Sequence, residues 1–357
     1  MSKINLFETA TIEELLVSIP EICHKLTMVI QSEPGCGKTS LLHGLEAKYG
    51  DKYDYIYVDC PVKDMSDVGM TIPDHSTQSL RYYVSDLFKL SSPKPKVILL
   101  DEFMKSPKLL QVIFTRLMLE RMVGDEPLPQ GSLVFATSNN ASDGVGDSML
   151  AHAGNRVCIV KMQKPNSKEW LVWAGENKIN RLIRAWVAST PKCLHSYTTG
   201  DQDDNELIFN PKKPQLSFCS PRSLAQSSII VDKRDIIGDK MVKVMLAGTL
   251  GQSAAAQMDA FLSLEKQLPD FESILKDPDG VKVPDDLAAT LMVMFQAVDT
   301  VETQDQLSKV MRFIKRVASE EIQAIFFTML MKTKRTTKIA RNNDDVKAWA
   351  VNNHELF

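Results

Sequence analysis

Eight consecutive residues, Ser32-Glu33-Pro34-Gly35-Cys36-Gly37-Lys38-Thr39, form a cluster whose types and spacing suit the binding of a phosphate chain. Two glycines let backbone amides turn toward an anion without a Cβ in the way. Lys38 adds a cation for the outer phosphates, and the Thr39 hydroxyl is a hard oxygen of the kind Mg²⁺ takes. The stretch 38–47 then reads as a helix, whose N-terminus adds its positive dipole end. The phosphate-loop pattern GxxxxGK[ST] is met except at its first glycine, where Ser32 stands. That position needs a small residue more than it needs no side chain. Glu33 through Ser40 are therefore the candidate nucleotide-binding residues.

The second cluster is Asp101-Glu102, two carboxylates at the end of the apolar run Val97-Ile98-Leu99-Leu100. A carboxylate at a strand end beside a phosphate loop can hold Mg²⁺, which assigns the metal role to Thr39 and Asp101. The next carboxylate, Glu102, can orient and polarise an attacking water. Taken separately, each has a less favoured bland reading, the loop as a glycine turn before a helix and the pair as solvated acids after a strand. Their order, with a full β–α unit between them, favours hydrolysis of a bound nucleotide.

These residues need elements to hold them. Apolar runs at 26–31, 53–60, 96–101, 132–137 and 157–162 read as strands. Helical spacing covers 11–24 with an interruption at Pro20, 38–47, and the stretch after Ser106-Pro107, where Ser is read as N-cap and Pro as the first helical residue. Short continuous strands alternating with helices imply a five-stranded parallel sheet covered on both faces, a three-layer α/β core over 1–164. From Pro165-Asn166-Ser167 onward the patterning is helical, apart from 194–218, whose acidic segment 201–206 reads as an exposed loop. Two helical parts are expected, 165–260 and 261–357.

The bulk numbers narrow the function classes. With 357 residues, 44% hydrophobic content, a net charge of −3 and a pI near 6.1, nothing global draws the chain to nucleic acid or anionic lipid. No apolar run approaches the roughly 20 residues that span a bilayer. Met1-Ser2-Lys3-Ile4-Asn5 lacks the charged-then-apolar pattern of a leader. The six cysteines make no CxxC pair, and several lie in apolar runs, so reduced thiols and a cytoplasmic setting are expected. The six histidines have no metal spacing.

Beyond the loop and the acidic pair, Asp67-Val68-Gly69 with Pro73, the run from Met118 to Gly124, Leu128-Pro129, and Leu133 to Asn139 together resemble the MoxR-like group of AAA+ ATPases, especially phage and bacterial forms. The resemblance covers roughly 20–285. It implies a P-loop AAA+ core, then a helical lid and a further helical region, with ATP and Mg²⁺ as the bound species. Asn139 matches sensor 1, where an amide helps place the water near the γ-phosphate. Ala153-Gly154-Asn155-Arg156 resembles the segment carrying the arginine finger, so Arg156 is expected to act in a neighbouring subunit's site. Ser220-Pro221-Arg222 resembles sensor 2, with Arg222 on phosphate; a plain capped helix start reads the same way. A trans arginine requires an oligomer, and the family implies a ring, most simply a hexamer. It also implies chaperone-like remodelling of a protein client, often with a von Willebrand factor A domain partner, in the host cytoplasm if the chain is phage-encoded. Departures are Met104-Lys105, where relatives carry Asn-Arg, and Asn140 where Pro is common. Two alternatives stand beside this expectation: a nucleic-acid-directed motor and a non-hydrolysing, nucleotide-gated scaffold. The basic run 332–338 with Arg341 reads as a solvated helix face or loop more readily than as a nucleic-acid contact, because no aromatics interleave it.

Overall fold

The computed structural model describes residues 8–140, 155–265 and 268–356. The chain divides into two compact units, Met1–Lys164 and Pro165–Phe357.

In the first unit, β1 (Met28–Ser32), β2 (Asp54–Asp59), β5 (Lys96–Asp101), β8 (Leu133–Asn139) and β9 (Cys158–Lys161) form one sheet in the order β2-β5-β8-β1-β9. Every pairing in it is parallel. The fold class is α/β with a five-stranded parallel sheet, as the alternation of apolar runs and helical stretches predicts. Two short antiparallel ribbons sit outside this sheet: β3 (Gly69–Asp74) with β4 (Ser79–Val84), and β6 (Met122–Val123) with β7 (Glu126–Pro127).

Side chains alternate across a strand, so each central strand feeds two cores. Val97 and Leu99 of β5 and Leu133 and Phe135 of β8 join Leu15 and Ile19 of α1 (Ile12–Ile22) and Leu41, Leu42 and Leu45 of α2 (Ser40–Tyr49). On the other side, Ile98, Leu100, Val134 and Ala136 pack with Leu110, Phe114, Leu117 and Met118 of the helix Lys108–Glu120. A four-residue helix, Met65–Val68, also lies between β2 and β3. The strand β5 opens on a wholly buried Lys96, whose ammonium meets Asp54 Oδ2 at 2.6 Å and holds that carboxyl below its ordinary value.

Two local expectations differ from what forms, and one hairpin forms that the sequence reading does not anticipate. Pro20 does not interrupt α1, which runs on through it to Ile22 with one backbone hydrogen bond fewer. The helix after the acidic pair begins at Lys108 without a side-chain cap, because the Ser106 hydroxyl donates instead to the Phe103 carbonyl at 2.6 Å. The β3–β4 hairpin carries no strong period-2 signal: Met70, Ile72, Leu80 and Tyr83 are exposed, so burial does not pattern it.

The second unit is helical around one core that runs from Trp170 to Trp349. Asn166 caps the helix Ser167–Glu176 with a complete capping box. The segment 201–206 is largely exposed, whereas Leu207 and Ile208 beside it are buried. Met292 and Met294 are core residues of the helix Leu287–Thr300. Most of the basic run lies in the helix Lys334–Asn342, with Lys332 ending the helix before it, and Arg335 donates to the carbonyls of Val298 and Val301. That arginine thus satisfies orphan carbonyls at the C-terminus of the helix Leu287–Thr300. Among the described residues no helix is long and apolar enough to cross a membrane.

Candidate nucleotide site

The candidate residues converge because the carboxyl ends of three adjacent strands align. β8 lies between β1 and β5. Ser32 at the end of β1 stands opposite Asn139 at the end of β8, and Leu100, just before Asp101, stands opposite Ala136, just before Thr137. In open α/β sheets, ligands bind in the crevice beyond the carboxyl ends of the strands.

The loop leaves β1 and turns through Gly35 (φ 74°) and Gly37 (φ 94°), both in the left-handed region. A Cβ at Gly37 would meet Ser40 Oγ at 3.2 Å. The first turn of α2 is tight, with the Ser40 amide on the Gly37 carbonyl at 2.9 Å and the Leu41 amide on the Lys38 carbonyl at 3.2 Å. Thr39 is the N-cap position, yet its side chain makes no cap bond. Its hydroxyl lies 3.3 Å from Asp101 Oδ2 instead.

Lys38 is buried, and its ammonium donates to the Ser32 carbonyl (3.2 Å), the Ser32 hydroxyl (3.3 Å), the Glu33 carbonyl (3.2 Å) and Asn139 Oδ1 (2.8 Å). The serine that breaks the glycine pattern therefore supplies a lysine acceptor that glycine lacks. The Glu33 side chain is directed into the fold, with its carboxylate 3.6 Å from the Lys164 ammonium and both groups buried. Cys36 lies in the same buried patch, and burial pushes its thiol up to about 12.

Asp101 is held from three sides. Thr39 approaches Oδ2, the Tyr57 hydroxyl donates to Oδ2 at 2.9 Å, and the Thr137 hydroxyl donates to Oδ1. Partial burial, and then the Asp101 carboxylate itself, push the Tyr57 phenol above its ordinary value, which keeps it a donor. Thr137 Oγ1 also accepts the Glu102 amide at 3.2 Å, so one buried hydroxyl ties the two acidic residues together. Glu102 adopts a left-handed backbone (φ 51°, ψ 36°), a conformation costing a non-glycine residue roughly 1–2 kcal/mol. Its carboxylate meets the Lys105 ammonium at 2.7 Å.

Lys38, Thr39, Asp101 and Asn139 thus form one connected patch with Glu102 beside it. Arg156 is exposed in the turn before β9; Ala153 and Gly154 of its motif lie outside the described residues. Arg222 is exposed at the start of the helix Pro221–Asp232 in the second unit, where Ser220 completes a capping box with Ser223. Tyr57, Thr137 and Lys164 were not singled out from sequence. Thr137 and Tyr57 each place a hydroxyl inside an apolar run, the signal that points to them, whereas Lys164 lies outside every such run.

The donor set suits Mg²⁺, which takes one or two protein oxygens and completes its shell with water and phosphate. Thr39 and Asp101 supply two such oxygens, and among the described residues no cluster of three or more His, Cys, Asp or Glu offers a rival cage.

No family model matches the chain, and no curated protein matches it. Solved structures with a partial likeness include a Cytophaga hutchinsonii protein described as an ATPase (20% identity, 46% of this chain and 49% of that chain, TM-score 0.34). Hsp104 with ATPγS and casein is another (14% identity, 62% and 41%, TM-score 0.38), as is a Thermotoga maritima RuvB variant (14% identity, 81% and 84%, TM-score 0.39). The chain spans about half or less of the length of the first two, at 49% and 41%. At these TM-scores the strand order and the residues above, rather than the likeness, define the fold and the site.

Proposed function

We propose that this chain is an ATP-hydrolysing AAA+ ATPase of the MoxR-like type, working as an oligomeric ring that remodels a protein partner. The observation that carries the ATPase reading is the Lys38–Asn139 and Thr39–Asp101 pairing at the ends of β1, β8 and β5. A phosphate loop, a metal-type carboxylate and a water-placing amide meet there.

Thr39 and Asp101 would hold Mg²⁺, which supplies charge neutralisation on the phosphate oxygens. Lys38 is placed to exchange its loop carbonyl partners for phosphate oxygens. In the hydrolytic step a water oxygen bonds to the γ-phosphorus and the bond to the β–γ bridging oxygen breaks, giving ADP and inorganic phosphate. Glu102 accepts hydrogen bonding from that water, and its proton passes to the phosphate products or to solvent. Asn139 orients the same water or the γ-phosphate. For Arg156 and Arg222 the reading rests on resemblance: an arginine supplied in trans, which requires the ring, and a sensor in the lid. The division into core 1–164, lid 165–260 and C-terminal region 261–357 belongs to the same proposal. So do the hexamer, the von Willebrand factor A domain partner, and a cytoplasmic setting, the last supported by six free cysteines.

The test is steady-state phosphate release beside nucleotide binding. Glu102→Gln should bind ATP with unchanged affinity and lose turnover by at least about 100-fold, on the scale of general-base loss. A wild-type chain that binds ATP and never releases phosphate would leave only a nucleotide-gated scaffold. Affinity capture with Glu102→Gln should retain a protein client; a strong ATPase response to added DNA or RNA would favour a nucleic-acid motor instead.

A further inference from the structure

The acidic pair is followed by a tight turn, Phe103–Lys105, closed by Ser106; of these four successive side chains Phe103, Met104 and Ser106 are buried. The Lys105 amide donates to the Glu102 carbonyl at 2.8 Å, the Ser106 amide donates to the Phe103 carbonyl at 3.2 Å, and the Ser106 hydroxyl donates to that same carbonyl. Gln111 Nε2 adds bonds to the Met104 carbonyl (3.2 Å) and the Ser106 carbonyl (3.0 Å). The backbone carrying Lys105 is therefore fixed on both sides. Lys105 is the one side chain of that turn left part-exposed, and it reaches back to Glu102 Oε2 at 2.7 Å.

From this arrangement we infer that Lys105 is a positioning residue that latches Glu102 and restrains hydrolysis. The inference rests on the ATPase reading of the site. The ammonium draws the carboxylate toward the turn and takes up one of the lone-pair sites through which it could accept a water. The Glu102 backbone cannot easily swing to offer a different face, since its amide is tied to Thr137 and its torsions are left-handed. For the whole carboxylate to turn away from Lys105 toward a water, the side-chain ion pair has to open. Both side chains are about one-third exposed or less, at 27% and 34%, so the latch is weak enough to open during turnover.

The test compares Lys105→Met, which keeps the apolar stem, with Lys105→Arg, which keeps a cation, each alone and combined with Glu102→Gln. Lys105→Met should raise kcat by about two- to five-fold, the range set by a part-exposed ion pair, with the ATP Kd unchanged. Lys105→Arg should stay near wild type. In the Glu102→Gln background Lys105→Met should change nothing, because the group it restrains is gone. A kcat for Lys105→Met equal to or below wild type, in a folded chain that still binds ATP, overturns the latch and leaves the ATPase reading intact. A wild-type chain with no Glu102-dependent turnover overturns both.

Discussion

Asn139 Oδ1 accepts a hydrogen bond from Lys38 Nζ at 2.8 Å, joining residues 101 positions apart across the ends of two neighbouring strands. The bond follows from register, since Ser32 and Asn139 are parallel partners and Lys38 folds back over Ser32. It is the shortest of the four hydrogen bonds described for the loop ammonium. Asn139→Ala should therefore lower kcat by about 10-fold or more while ATP affinity changes much less, as for a removed transition-state donor. Single-turnover phosphate release measured beside equilibrium nucleotide binding separates the two quantities; equal losses in both would assign Asn139 to ground-state binding.

Thr137 is wholly buried and serves two masters, the Asp101 carboxylate and the Glu102 amide. Thr137→Val keeps the shape and removes the hydroxyl, stranding both partners. The expected cost is about 1–3 kcal/mol in urea unfolding, together with a higher Mg²⁺ requirement for turnover. Unfolding and Mg²⁺ titrations both indistinguishable from wild type would show that water replaces the hydroxyl.

Burial pushes the Cys23 and Cys36 thiols up to about 12 from an ordinary value of 9.0. A thiol with a raised folded value stays protonated where the unfolded chain has lost its proton. Its contribution is therefore complete below pH 9 and declines as pH climbs from 9 toward 12, by at most ~1.4 kcal/mol per pH unit for each thiol. Chemical denaturation at a series of alkaline pH values measures that slope. At pH 8 both thiols should resist alkylation in the folded chain and react on unfolding; rapid native-state labelling of Cys36 would place it in an open loop.

In the second unit Trp349 stacks on Phe327 with ring centroids 3.5 Å apart and planes 6° from parallel. Its indole also donates to Gln323 Oε1 at 2.7 Å. Trp349→Ala should cost about 3–5 kcal/mol of that unit's stability, the range for a buried aromatic truncation. Thermal unfolding of the full chain should show the loss as a transition moved to lower temperature.

What the sequence determined by itself is the chemistry that is local. The glycines at 35 and 37, Lys38 and Thr39 lie within one turn, and Asp101-Glu102 are neighbours, so their types and spacing are legible without knowing which strands pair. The parallel sheet was legible for a related reason: central strands buried on both faces, β1, β5 and β8, must be apolar almost throughout, and two weaker runs that become the edge strands stand with them between helical stretches. What only the tertiary structure decided is every partner that arrives across the sheet. Tyr57 and Thr137 reach Asp101 from the strands on either side of β5, and no periodicity records that. Glu33 turns to Lys164 for the same reason, its partner standing beyond the last strand. The exposed β3–β4 hairpin escaped because pairing without burial leaves no hydrophobic pattern to read. Local backbone chemistry is written in adjacent residues, whereas strand order brings distant ones together only once the chain has folded.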